Sequence, residues 1–181
     1  MKERTLSSRL AFDGKFIRVR IDKTISPDRI IREREIAERI SGVAILPVLR
    51  NRRVLLVREY KHAIGRVSLG IPTGSIEENE TPPHAAHREL FEETGYKARR
   101  LRRLFMTYGS GTVEHKVSYY LATNLYIPRK KHVPDITEKI RTQTVSLEEA
   151  VKMALDVRFL NSNFAILILK VAYERGIIKY N

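Results

Sequence analysis

The chain has 181 residues, enough for one globular domain with a sizeable core, and its 43% hydrophobic and 30% charged residues with 9 Gly and 7 Pro exclude disordered, collagen-like and coiled-coil classes. It contains no Cys, which excludes disulfides, thiolate metal sites and a cysteine nucleophile, so any metal must be held by oxygen or imidazole. The formal charge of +13 calls for an anionic partner: RNA, DNA, a membrane surface or a phosphate ester.

The start, Met1-Lys2-Glu3-Arg4, leads into no apolar targeting segment, and no run approaches the ~18 apolar residues of a membrane span, so a soluble, cytoplasmic protein with no membrane partner is expected. Lys15 to Ile21 alternates polar and apolar residues, Ser26-Pro27-Asp28 forms a turn, and Arg29 to Glu35 resumes extended character, the pattern of a hairpin. Val43 to Leu49 and Val54 to Val57 are nearly continuous apolar runs on either side of a basic turn, Arg50 to Arg53. They read as strands buried on both faces and are expected to form the core sheet.

Thr81 can cap a helix over residues 84–94, with Pro82 and Pro83 suited to its first turn and Gly95 as its stop. Two strands follow, about 101–108 and 115–125, separated by the loop Gly109-Ser110-Gly111-Thr112, with a second loop over 128–137. Ser146 and Glu149 form a capping box for a helix ending near Asp156, and a second apolar helix over 162–174 stops at Gly176. Strands followed by flanking helices predict an α/β fold, an α/β/α sandwich around a mixed sheet. Residues 1–40 read as an N-terminal hairpin extension to a domain over 41–181.

The chemistry concentrates in Arg88-Glu89-Leu90-Phe91-Glu92-Glu93-Thr94-Gly95. At i, i+3 and i+4 of a helix, Glu89, Glu92 and Glu93 share one face, while Leu90 and Phe91 point elsewhere and can anchor the helix to the sheet. Three adjacent carboxylates repel unless cations neutralise them, and without Cys the suitable ions are hard divalent cations, Mg²⁺ or Mn²⁺. Residues 74–95 hold six acids against one base, a net of −5 inside a strongly basic chain. Residues 97–132 are the reverse, nine Lys and Arg against one Glu.

Gly74, Glu80, Arg88, Glu89, Leu90, Glu92, Glu93 and Gly95 match the Nudix box, G-x5-E-x7-R-E-U-x-E-E-x-G-U, at each fixed position, with Tyr96 in the final apolar slot. The chain thus resembles the Nudix hydrolases, an α/β/α family that cleaves nucleoside diphosphates linked to a further moiety, using Mg²⁺. The resemblance implies that Glu89, Glu92, Glu93 and the carbonyl of Thr73 are metal ligands, with the three glutamates also catalytic. It gives Gly74, Glu80, Arg88 and Gly95 structural roles, with the glycines allowing loop and helix-stop geometry and Arg88 orienting the carboxylates.

Val57-Arg58-Glu59-Tyr60-Lys61 and Ile71-Pro72-Thr73-Gly74 resemble the ADP-ribose pyrophosphatase branch of that family. That likeness implies hydrolysis of ADP-ribose to AMP and ribose 5-phosphate, with Glu138, or Asp135 in reserve, orienting the attacking water from a loop. It implies substrate contacts by Arg34, Arg58, Lys61 and Glu114, stacking on Phe16, and a homodimer assembled through the N-terminal strands. Gly70, Glu59, Lys61 and Tyr108-Gly109-Ser110 depart from the branch pattern at positions that bear on substrate choice. FAD, NADH, dinucleoside polyphosphates and nucleotide-capped RNA are therefore alternative substrates, the last suggested by the basic stretch. A non-catalytic nucleotide-binding module is a further alternative, opposed by the intact box.

Overall fold

The computed structural model describes residues 2–129, 140–156, 158–159 and 161–179. Asp135 and Glu138 lie outside the described residues. The chain forms two compact units, Met1–Gly42 with Met106–Val117, and Val43–Phe105 with Ser118–Asn181.

In the first unit, β1 (Arg4–Asp13), β2 (Ile17–Ile25) and β3 (Ile31–Arg39) form an antiparallel meander. The expected hairpin is β2–β3, in register from Ile17↔Arg39 to Ile25↔Ile31. Its turn is closed by Ser26 N–H donating to the Ile30 carbonyl at 3.0 Å, and Arg29 takes a left-handed φ of 63°. Strand β1 adds a third element that the alternation pattern does not single out, because its residues are exposed along the whole strand. The short β9 (Val113–Glu114) pairs parallel to β3 at Ala37↔Val113 and Glu38↔Glu114.

The second unit contains β4 (Gly42–Pro47), β5 (Arg53–Lys61), β6 (Arg66–Gly70), β7 (Thr73–Ser75), β8 (Lys97–Tyr108), β10 (Lys116–Tyr126) and β11 (Arg141–Ser146), apart from a few terminal residues. Every residue of β4 is buried, as is Val54 to Val57 of β5. The two runs do not share one core sheet, however. β4 lies in the order β7-β4-β10-β8 and β5 in the order β11-β5-β6, so each already has a neighbour on both edges. Only the single bridge Val48↔Val54 joins them across the basic turn, where Asn51 and Arg52 adopt left-handed φ values of 59° and 58°.

Three helices, α1 (Pro82–Thr94), α2 (Leu147–Leu155) and α3 (Ser162–Glu174), complete the α/β architecture expected. Thr81 occupies the N-cap position of α1 without a side-chain hydrogen bond, and the helix stops where Gly95, at φ 73°, donates its N–H to the Phe91 carbonyl at 2.8 Å. α1 buries Ala85, Ala86 and Leu90 against Val43 and Ile45 of β4 and Tyr120 and Ala122 of β10. Leu90 is thus the expected anchor. Phe91 is not, being only half-buried with the Lys97 ammonium 5.1 Å from its ring centre.

Ser146 caps α2 by accepting from Glu149 N–H at 3.0 Å, as the capping box requires. α3 is capped by Asn161, whose Oδ1 accepts from Asn163 N–H, and it buries Leu167, Ile168, Val171 and Ala172 while Ile166 stays exposed. Among the described residues, no helix is long and apolar enough to cross a membrane.

Candidate active site on the acidic helix

Docking Leu90 into the core turns the neighbouring face of α1 toward the loop that follows β6. Arg88 organises that face. Its Nε and Nη2 donate to the two carboxylate oxygens of Glu80 at 3.0 and 2.9 Å, Nη1 donates to Glu89 at 2.7 Å and Glu92 at 2.9 Å, and Nη2 reaches the Ser75 carbonyl at 2.8 Å. Glu80 is fixed a second time by the Glu77 N–H at 3.1 Å. One guanidinium therefore ties the glycine loop, the segment before the helix and the acidic face together.

The electrostatics follow from this geometry. The fork of Arg88 holds the Glu80 carboxyl below its ordinary range, against a smaller opposing effect of burial. Arg88 is pushed upward in turn, first by Glu80 and then by Glu89 and Glu92. Glu89 has a side chain only 12% exposed, so its charge needs a cation nearby.

Gly74 is set by close approach. A Cβ there would collide with the Glu89 carboxylate, whereas positive φ is confined to Gly65, Gly95 and Gly176 among the glycines. Thr73 is brought to the helix by its N–H, which donates to Glu93 Oε1 at 3.3 Å. Thr73, Gly74, Glu80, Arg88, Glu89, Glu92, Glu93 and Gly95 thus form one continuous constellation.

Three carboxylates and a neighbouring backbone carbonyl make an all-oxygen donor set, chemically suited to a hard divalent ion. Among the described residues no three acidic or imidazole groups converge as a metal cluster. Arg88 Nη1 gathers Glu89 and Glu92, and Glu93 accepts from the Thr73 N–H.

Arg34 makes a two-oxygen contact with Glu3, at 2.6 and 3.1 Å, and Glu114 accepts from Arg20 at 3.1 Å; both belong to the first unit. Lys61 is paired with Glu59 on the same face of β5, so the two departures from the branch pattern compensate one another's charge. Strand alternation puts Arg58 on the opposite face from Lys61. Sequence reasoning missed the Ser75 carbonyl and the partners of Arg34 and Arg20. The box spacing signals a loop near Arg88, but nothing local marks Glu3 or Arg20.

A glycine loop seated under a carboxylate-bearing helix within an α/β fold defines the class as one of phosphate-processing domains built around an acidic helix. A family model described as NUDIX domain matches residues 38–164, and the chain belongs to that family, as a Nudix hydrolase. It is 31% identical over 154 residues to an ADP-ribose pyrophosphatase of Bacillus subtilis, covering 84% of this chain and 83% of that protein. It is 25% identical to the methanol dehydrogenase activator of Bacillus methanolicus, covering 92% and 91% of the two chains, and 33% identical to an ADP-ribose pyrophosphatase of Mycobacterium tuberculosis, covering 67% and 59%. A crystal structure of an ADP compounds hydrolase shares the fold with a TM-score of 0.83 at 21% identity, covering 98% of each chain.

Proposed function

We propose that this chain hydrolyses the pyrophosphate bond of a nucleoside diphosphate derivative, with ADP-ribose, cleaved to AMP and ribose 5-phosphate, as the leading substrate. The observation that carries the reading is the face of Glu89, Glu92 and Glu93 held by Arg88 over Gly74 and Thr73. The relatives from B. subtilis and M. tuberculosis named as ADP-ribose pyrophosphatases support the substrate.

Glu89, Glu92, Glu93 and the Thr73 carbonyl would hold Mg²⁺, with Mn²⁺ as a substitute. A bound divalent ion supplies Lewis acidity that activates water and offsets the diphosphate charge. The chain's own work is preorganisation: Arg88 fixes the direction of two carboxylates, and Gly74 admits Glu89 to a position any larger residue would block. Glu138 is assigned to orienting the attacking water, and Arg34, Arg58, Lys61 and Glu114 to substrate contacts, with stacking on Phe16.

The test is a panel of ADP-ribose, NADH, FAD, a dinucleoside polyphosphate and nucleotide-capped RNA with Mg²⁺, products separated chromatographically. ADP-ribose should be cleaved fastest, to AMP and ribose 5-phosphate. Turnover of no member would replace the reading with a nucleotide-binding module.

A homodimer through residues 1–40 belongs to the same reading. Its support is that β1 and the turn after it expose Leu10, Phe12 and Phe16 by 56%, 57% and 61%, an apolar surface a second copy would cover. Light scattering on the eluting protein should give twice the chain mass, and a monomer at working concentration would refute it. Capped RNA is supported by the exposed Arg100 and Arg103 of β8, since Arg102 is tied to Glu174 and Arg99 lies over the Tyr126 ring. Replacing Arg100 and Arg103 should lower activity on capped RNA before activity on ADP-ribose.

A further inference from the structure

The second unit contains a cavity of about 570 Å³ that the acidic helix does not line. Its floor is apolar, with Met153 of α2 and Phe159 both buried. Arg58, Arg66, Arg158 and Gln143 line it as well, and its acid, Asp156, is paired with Arg158 at 3.2 Å. The backbone of Arg158 is held at the end of α2, where its N–H donates to the Met153 carbonyl at 3.0 Å, and its side chain is exposed.

The register of the sheet adds a second observation. Arg58 stands directly opposite Arg141 in the β5–β11 ladder, and among the described residues neither has a carboxylate within ion-pair distance, nor does Arg66. Like charges facing one another across a strand pair repel, and a bound anion removes that cost. By contrast, Lys61, opposite Arg66 in the β5–β6 ladder, is already neutralised by Glu59.

We propose that this cavity is a second binding site, for a phosphate monoester. Guanidinium groups match phosphate oxygens two at a time, and a phosphate monoester carries nearly two negative charges at neutral pH, matching the surplus of arginines over Asp156. Gln143 supplies further donors, and the floor formed by Phe159 and Met153 receives the organic body of the ester. Arg66 and Arg158, which the proposed reaction does not use, are the arginines that distinguish this site from it. The choice of probes rests on the proposed reaction, whose two products are both phosphate monoesters.

The test is calorimetric titration of the full chain in EDTA, so that binding needing a divalent ion is absent. AMP, ribose 5-phosphate and inorganic phosphate are titrated separately into wild type, R158A, R66A and E93Q, with circular dichroism verifying each fold. Saturable binding of AMP at one site per chain is expected, about tenfold weaker in R158A and in R66A and unchanged in E93Q. No binding to wild type, or wild-type affinity retained in both arginine variants, overturns the site. Loss in E93Q moves the ligand to the acidic helix and overturns it too. Inorganic phosphate binding as tightly as either ester overturns the monoester assignment. A failure to cleave ADP-ribose in the separate activity panel overturns the proposed reaction while leaving this titration intact.

Discussion

Two arginines in this molecule each gather at least three carboxylates, and the difference between them separates a scaffold from a site. Arg20 in the first unit donates to Asp22 and Glu114, each at 3.1 Å, and is paired with Glu38. Its partners come from β2, β3 and β9, so the cluster pins strands of one sheet to each other. Arg88 in the second unit holds Glu80, Glu89 and Glu92 and lies 3.9 Å from Glu77, with Glu93 one turn from Glu89 on the same helix, so a single guanidinium leaves acid in excess. An arginine whose acids lie on paired strands locks a fold. One outnumbered on a helix face preorganises negative charge for an additional cation.

The contrast is sharpest at Glu93, which accepts from the Thr73 N–H. E93Q should lower turnover of ADP-ribose by at least about 100-fold while leaving the melting temperature close to wild type. A variant with near-normal turnover in Mg²⁺ would place the chemistry elsewhere. R20A should lower turnover less than E93Q, and only through Glu114, since Asp22 and Glu38 tie strands of one sheet.

Stability should rank the two hubs in the same order. R88A strands the Glu80 side chain, only 14% exposed, and should cost about 3 kcal/mol in denaturant unfolding. R20A should cost about 1 kcal/mol, because Glu114 and Glu38 can turn to water, although Asp22 stays largely buried. Equal costs would erase the distinction. G74A keeps both arginines yet forces the Glu89 carboxylate aside, so activity should fall about tenfold with a smaller stability change than R88A.

The pH dependence gives the smallest effect. The Glu80 carboxyl is depressed below its ordinary 4.5 in the fold, chiefly by Arg88, so its contribution is complete above 4.5 and is lost as pH falls through the lower folded value. The stability gap between wild type and E80Q should therefore be constant from pH 7 to about pH 5 and shrink below that. A gap that widens on acidification would contradict the assignment.

How far the sequence carries the structure depends on how local each signal is. The acidic face, the Gly95 stop, the Ser146 cap and the burial of β4 and β5 are set by residues a few positions apart, and all are seen. The division of β4 and β5 between two sheets is not legible, because it is decided by which strands occupy their edges. The same holds for Arg20 and Glu114, 94 positions apart, and for Arg34, whose partner Glu3 lies on the unremarkable approach to β1. The role of Gly74 was legible as a glycine requirement but not as the seat of a carboxylate, a fact that only the packed helix supplies.

The central claim is that the face of α1 held over Gly74 binds a divalent ion and directs hydrolysis there. Titration of Mn²⁺ into the full chain, followed by electron paramagnetic resonance, tests it most directly. Wild type should remove Mn²⁺ from solution, and E89Q and E93Q should each bind at least about tenfold more weakly while remaining folded. Equal Mn²⁺ affinity in wild type and both variants would contradict the account.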